Sequence, residues 1–108
     1  MAISGPSADQ PQAGAEEGVR SWTFLTNHAR VLIAIARDSQ IRMRDLAVDI
    51  GITERTAQLI VADLETAGYL AHTRVGRRNS YTVSIDRPFR HPADADHDVQ
   101  ALIDIFTR

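Results

Sequence analysis

Three groups of side chains in this sequence have types and spacings that can do chemistry. The first is Thr53, Glu54, Arg55, Thr56, Gln58 and Leu59, which brings a guanidinium, an amide, a carboxylate and two hydroxyls into seven consecutive positions. An arginine fork matches O6 and N7 of guanine, a glutamine amide matches N6 and N7 of adenine, and a threonine bonds a phosphate or touches a thymine methyl. Glu54 can accept from cytosine N4, but at a helix start it more simply faces the positive end of the helix dipole. The second group is Arg74, Arg77, Arg78 and Asn79 around Gly76. A basic tip of this kind suits a phosphate backbone or a narrow minor groove; a solvated turn has the same composition. The third is His91, Asp94, His97 and Asp98, imidazoles and carboxylates of the kind that bind divalent metals. Aspartates also favour a helix start, and His91 precedes a proline, so no metal site is assigned.

Other chemistries find no support. The chain has no cysteine, which removes disulfides, thiolate metal sites and a thiol nucleophile. It has no Gly-rich phosphate loop, no Gly-x-Ser-x-Gly elbow and no His-Glu-x-x-His pair. Neither an enzyme nor a cofactor is expected. The longest apolar run, Val31 to Ala36, is too short to span a bilayer. The opening residues lack the basic and apolar regions of a secretory signal, so a cytoplasmic protein is expected, with no membrane partner.

The 108 residues suffice for one domain, and 44% hydrophobic content for one modest core. The net charge is -2, but it is unevenly spread. Residues 1–19 hold Asp9, Glu16 and Glu17 and no base. Residues 20–90 hold eleven arginines against seven acids, and residues 91–108 hold four aspartates against Arg108. A basic middle therefore lies between acidic ends. No lysine occurs; arginine is the better fork for phosphate and guanine, although a GC-rich genome yields the same bias.

The elements that must position these groups follow from periodicity. Residues 1–19 are poor in large apolar side chains and read as a disordered tail. Ser21 is a candidate helix cap, followed by Trp22, Leu25, Ala29, Leu32, Ile33 and Ala36 at helical spacing, with Val31 and Ile35 widening the stripe. Ile41-Arg42 reads as a short strand. A second helix spans about Met43 to Ile50, with Leu46, Ala47 and Ile50 on one face. Gly51 turns the chain, Ile52 fills the space beneath, and Thr53 caps a third helix over 53–67 with Ala57, Ile60, Val61 and Leu64 inward. Gly68 ends it, and the period changes to alternation. Residues 69–75 and 80–85 form a hairpin joined by 76–79. Pro88 and Pro92 bracket an irregular stretch, and Ala93 to Phe106 forms a last helix. His28 is expected in the core or an interface, His72 on a strand surface.

Two short helices, a glycine turn and a basic hairpin form a pattern. Arg44-Asp45-Leu46-Ala47, Gly51-Ile52-Thr53-Glu54-Arg55-Thr56, Ile60 to Leu70 and Val75-Gly76-Arg77-Arg78-Asn79 resemble the MarR-like winged helix-turn-helix regulators, particularly small actinobacterial-type members. The resemblance covers residues 21–90. It implies a mainly α fold with a small β-hairpin: a three-helix core, a wing and a C-terminal helix. It further implies a homodimer on double-stranded DNA, with half-sites about one helical turn apart. The implied contacts are Arg44, Thr53, Glu54, Arg55, Thr56, Gln58, Leu59, Arg74, Arg77, Arg78 and Asn79. The proteins it resembles are longer, with two extended terminal helices; here one short helix, within 91–108, follows the wing. Trp22, Leu25, Val99, Leu102, Ile103 and Phe106 are the expected dimer contacts, with part of that stripe closing its own subunit. The alternatives are a winged helix that binds a protein partner, or a metal-responsive repressor. No effector is specified.

Overall fold

Thr26 sets the start of the first helix, α1 (Asn27–Arg37), by accepting the Ala29 N–H on its side chain. This corrects the expected cap at Ser21. Trp22 therefore precedes the helix, and its edge meets Phe24 in a T-shaped ring contact. The computed structural model describes residues 21–107; the tail assigned to 1–19 lies outside the described residues. Val31, Leu32, Ile33 and Ile35 of α1 are all buried, so the helix is covered on several sides, as its wide apolar stripe requires. Its neighbours are α2 (Met43–Ile50), α3 (Glu54–Thr66), the second hairpin strand and α4 (Val99–Thr107).

Between α1 and α2 no strand forms at Ile41-Arg42, contrary to expectation. Arg42 already stands at the N-cap of α2, which leaves too little extended chain for a ladder. The segment is instead tied to the hairpin by two bonds: Tyr81 N–H donates to Ser39 O at 2.8 Å, and the Arg78 guanidinium donates to Gln40 O at 3.2 Å.

Two glycines redirect the backbone. Gly51 (φ 86°) ends α2, and the Gly51 and Ile52 N–H groups both donate to Ala47 O. Gly68 (φ 89°) ends α3 in a Schellman arrangement: Tyr69 N–H reaches Leu64 O and Gly68 N–H reaches Glu65 O. The chain then enters β1 (Leu70–Val75), which pairs antiparallel with β2 (Arg78–Val83) in the register Leu70↔Val83 through Val75↔Arg78. The turn is the two residues Gly76-Arg77, so Arg78 and Asn79 are strand residues and not loop residues as expected.

After β2 the chain folds back. Pro88 bridges Asp98, Val99 N–H donates to Arg87 O, and Gln100 N–H donates to Ile85 O. A short 3₁₀ turn at Pro92–Asp94 is capped by His91 Nδ1. Turn bonds from Asp94 N–H to His91 O, Ala95 N–H to Pro92 O and His97 N–H to Asp94 O hold this stretch in tight turns, so α4 begins at Val99 and not at Ala93. Val99 and Ile103 are buried in their own subunit's core. Little of either side chain remains exposed, 2% of Val99 and 7% of Ile103, so these two are the part of the expected stripe that closes its own subunit. Leu102 and Phe106 are half-buried against the same core.

Arg87 reaches back over the Tyr69 ring and donates to Ala67 O, with its guanidinium lying where a Cβ on Gly68 would stand, 2.9 Å away. Gly68→Ala forces both a left-handed backbone on a side-chain-bearing residue and a displacement of Arg87. It is expected to cost about 1–2 kcal/mol, read as a lower urea midpoint at unchanged slope; an unshifted midpoint would contradict this account of the helix end.

Candidate nucleic-acid interface

The inward face of α3 fixes its outward one. Ala57, Ile60, Val61 and Leu64 are buried, as expected, and Glu54, Arg55, Gln58 and Leu59 are exposed as a consequence. Leu59 is 55% exposed, a large apolar side chain held in solvent on a helix otherwise correctly partitioned. Thr56 is half-buried. The first turn is rigidly made: Thr53 Oγ1 accepts the Thr56 N–H at 3.0 Å, and the Thr53 hydroxyl donates to Thr56 Oγ1 at 2.9 Å. Both threonine hydroxyls thus serve the cap first. Arg44, also expected at the interface, is exposed in the first turn of α2.

The hairpin brings its arginines to the start of α2. Arg74, Arg77, Arg78 and Asn79 line a cleft of about 330 Å3 together with Ile41, Arg42 and Met43. Four arginines and no acid face this cleft. Arg42 was not singled out from the sequence, because it sits on a different element from the hairpin; its place at the start of an amphipathic helix was the available signal. Asn79 pairs with Arg74 one step from the turn, yet it is half-buried and its Oδ1 is enclosed without a hydrogen-bond partner, so its side chain is not displayed as a free loop residue's would be. Among the described residues, the side chains of Arg42, Arg44, Arg55, Arg74 and Arg77 make no hydrogen bond or ion pair.

The acids near the other end of α3 are engaged. His28 Nε2 meets Asp63 Oδ2 at 2.8 Å, joining α1 to α3, and His72 Nδ1 meets Glu65, joining β1 to α3. His28 is an exposed residue, which removes the core half of the expectation and leaves the interface half untouched. His72 lies on the strand surface and its ring tilts against Tyr81. The third group of sequence candidates does not converge. His91 Nδ1 is spent on the 3₁₀ cap, His97 lies 3.9 Å from Asp96, and among the described residues no group of three or more potential ligands is placed to hold a metal.

No protein-family model matches this chain, and no curated protein matches it. Among solved structures it is similar to MepR, a transcription regulator of the Staphylococcus aureus multidrug efflux pump MepA. The TM-score is 0.51 at 16% identity, over 74% of this chain and 56% of that one. The fold is a winged helix-turn-helix. In its terms α2 and α3 are the helix pair, and β1 and β2 are the wing. The chain spans just over half the length of MepR.

Thr53 is the residue on which the first turn of α3 depends. Thr53→Ala removes the cap and is expected to destabilise the protein by about 0.5–2 kcal/mol, while Thr53→Ser retains it. Urea denaturation of the two variants checks this, and equal midpoints would show that the cap contributes nothing.

Proposed function

We propose that this protein is a sequence-specific transcriptional regulator that binds double-stranded DNA as a homodimer. The observation that carries the reading is the acid-free cleft of Arg42, Arg74, Arg77 and Arg78 between the wing and α2. Four like charges facing one cleft repel, and the arrangement is compensated when an anion enters. The α3 N-terminal turn supplies base-reading side chains at the position where a recognition helix meets the major groove. Arg55 reads guanine, Gln58 reads adenine, and Leu59 offers an apolar contact to a thymine methyl. Glu54 and Thr53 serve the helix start, and Thr56 and Arg44 approach the backbone. That MepR is a transcription regulator supports the same reading. Among the described residues no helix is long and apolar enough to cross a membrane, and a cytoplasmic site of action accompanies the proposal.

The homodimer rests on the apolar surface left outside the core. Trp22 is 73%, Phe24 91% and Ile105 66% exposed. Phe24 and Ile105 line one groove with Leu25 and Leu102. A second copy laid on this seam removes Phe24 and Ile105 from water.

Duplexes enriched from a random library provide the ligand, and fluorescence anisotropy across salt concentrations provides the test. Arg77→Ala with Arg78→Ala is expected to weaken binding to every duplex and to reduce the salt slope by about 2, and Arg42→Ala by about 1. Arg55→Ala is expected to relax preference at one base position, a loss of about 1–3 kcal/mol in discrimination. Unchanged affinity, slope and preference in all three would overturn the DNA reading. Separately, Phe24→Ser with Ile105→Asp is expected to convert a sedimenting dimer to a monomer without unfolding it. A variant that sediments as the unmodified chain does would remove the seam from the dimer model.

A further inference from the structure

Ser80 is a hydroxyl set apart by both its sequence neighbours and its place on the wing. Arg77 and Arg78 precede it by three and two residues, and no other serine or threonine of the chain has arginines at both positions. The register of the hairpin decides what surrounds it. Alternate residues share one face of a strand pair, so Leu70 and Tyr81, both buried, mark the inward face. Ser80 lies on the other face, with Thr73 directly opposite, Arg78 and Thr82 along its own strand, and Ala71 and Val75 beyond them. Ser80 is half-buried, these five neighbours are exposed, and none of them is an acid. Among the described residues the Ser80 hydroxyl makes no hydrogen bond.

This segment suits an enzyme that reads basic substrates in an acidic cleft. β2 is already extended, and Arg77 and Arg78 are exposed. Ser80 belongs to the third residue pair from the turn, in a sheet of two strands. A two-stranded ribbon is marginal by itself, so its tip opens at low cost. The surroundings also suit a phosphate. Phosphorylation adds a charge of about −2 and three strong acceptor oxygens, here to a face whose one charged residue is Arg78. The Arg78 guanidinium donates to Gln40 O at 3.2 Å, a neutral acceptor. A phosphate two residues along the same face is the stronger acceptor, and drawing Arg78 to it unties the wing from the chain before α2.

We propose that Ser80 is a phosphorylation site for an arginine-directed protein kinase, and that the phosphate withdraws the wing from DNA. Ser80 Oγ attacks the γ-phosphorus of a nucleoside triphosphate. The Oγ–phosphorus bond forms and the bond from that phosphorus to the β,γ-bridging oxygen breaks. The nucleoside diphosphate leaves with the electron pair, and the hydroxyl proton passes to the kinase's base. The phosphate then pairs with Arg78 and offsets about two of the four arginine charges of the wing cleft. The site stands on the hairpin alone; its effect on DNA rests on the function proposed above.

Full-length protein is incubated with magnesium ATP and the catalytic subunit of cyclic-AMP-dependent protein kinase as the arginine-directed probe, and the product is mapped by mass spectrometry. One phosphate at Ser80 is expected, absent from Ser80→Ala and formed about tenfold more slowly in Arg77→Ala. In nitrogen-15 spectra the Arg78 Nε–H is expected to shift on phosphorylation, and the Ile41 amide beside Gln40 to shift with it. With a duplex enriched from the random library, the phosphorylated chain is expected to bind about tenfold more weakly, with a salt slope smaller by about 2. Ser80→Ala is expected to bind that duplex as the unmodified chain does. The proposal is overturned if the folded chain takes no phosphate at Ser80, if the phosphate falls on another hydroxyl, or if Arg78 does not shift. It is also overturned if the phosphorylated chain holds the duplex as tightly as the unmodified one. An unmodified chain that binds no duplex fails the DNA reading instead, and the mass and Arg78 results still decide the site.

Discussion

The close packing of α2 on α3 determines where every candidate functional group points. Ala47 of α2 and Ala57 of α3 are both buried, and the two helices pack on each other around them with Leu46 fully enclosed. Small residues at a helix contact allow close approach, and a larger side chain at either position would be felt across a dense core. Gly51 provides the left-handed turn that this approach needs, and Thr53 begins α3 immediately after it. Once the inward face of α3 is committed, Arg55, Gln58 and Leu59 have only the outside to occupy. The candidate reading face is therefore a consequence of core packing.

Charge is sorted along the same frame. Asp63 and Glu65, towards the end of α3, are paired with His28 and His72, while Glu54 stands in the first turn, where it meets the positive end of the helix dipole. The arginines of the wing and of α2 are left without acidic partners. Exposed ion pairs contribute little to stability, so leaving these arginines unpaired costs the fold little. It also means that no internal pair has to be broken when an anion binds.

The helix pair and the hairpin were legible in the sequence because two independent signals coincide there. The 3.6-residue stripe of Ala57, Ile60, Val61 and Leu64 agrees with a threonine cap before it and a glycine after it. Elsewhere only one signal was present, and it misplaced the boundary. Ser21 and Thr26 are both good caps, and the choice between them depends on where α1 is covered by α4, a tertiary matter. The stripe of Val99, Leu102, Ile103 and Phe106 correctly marks a helix, but aspartates at 94, 96 and 98 suggested an earlier start. The backbone bonds from Arg87 and Ile85 decide that start, and no local pattern reveals them. The same stripe could not say whose core it closes; Val99 and Ile103 close their own. Arg42 was hidden because the cleft it joins gathers residues from elements far apart in the chain.

The measurement that bears most directly on the central claim is selection of bound fragments by the purified protein from a random duplex library at physiological salt. The account predicts enrichment of a two-fold symmetric sequence whose half-sites lie about one helical turn apart. Recovery of a library with no base preference at any position would contradict it, and would leave the outward face of α3 without the role assigned to it.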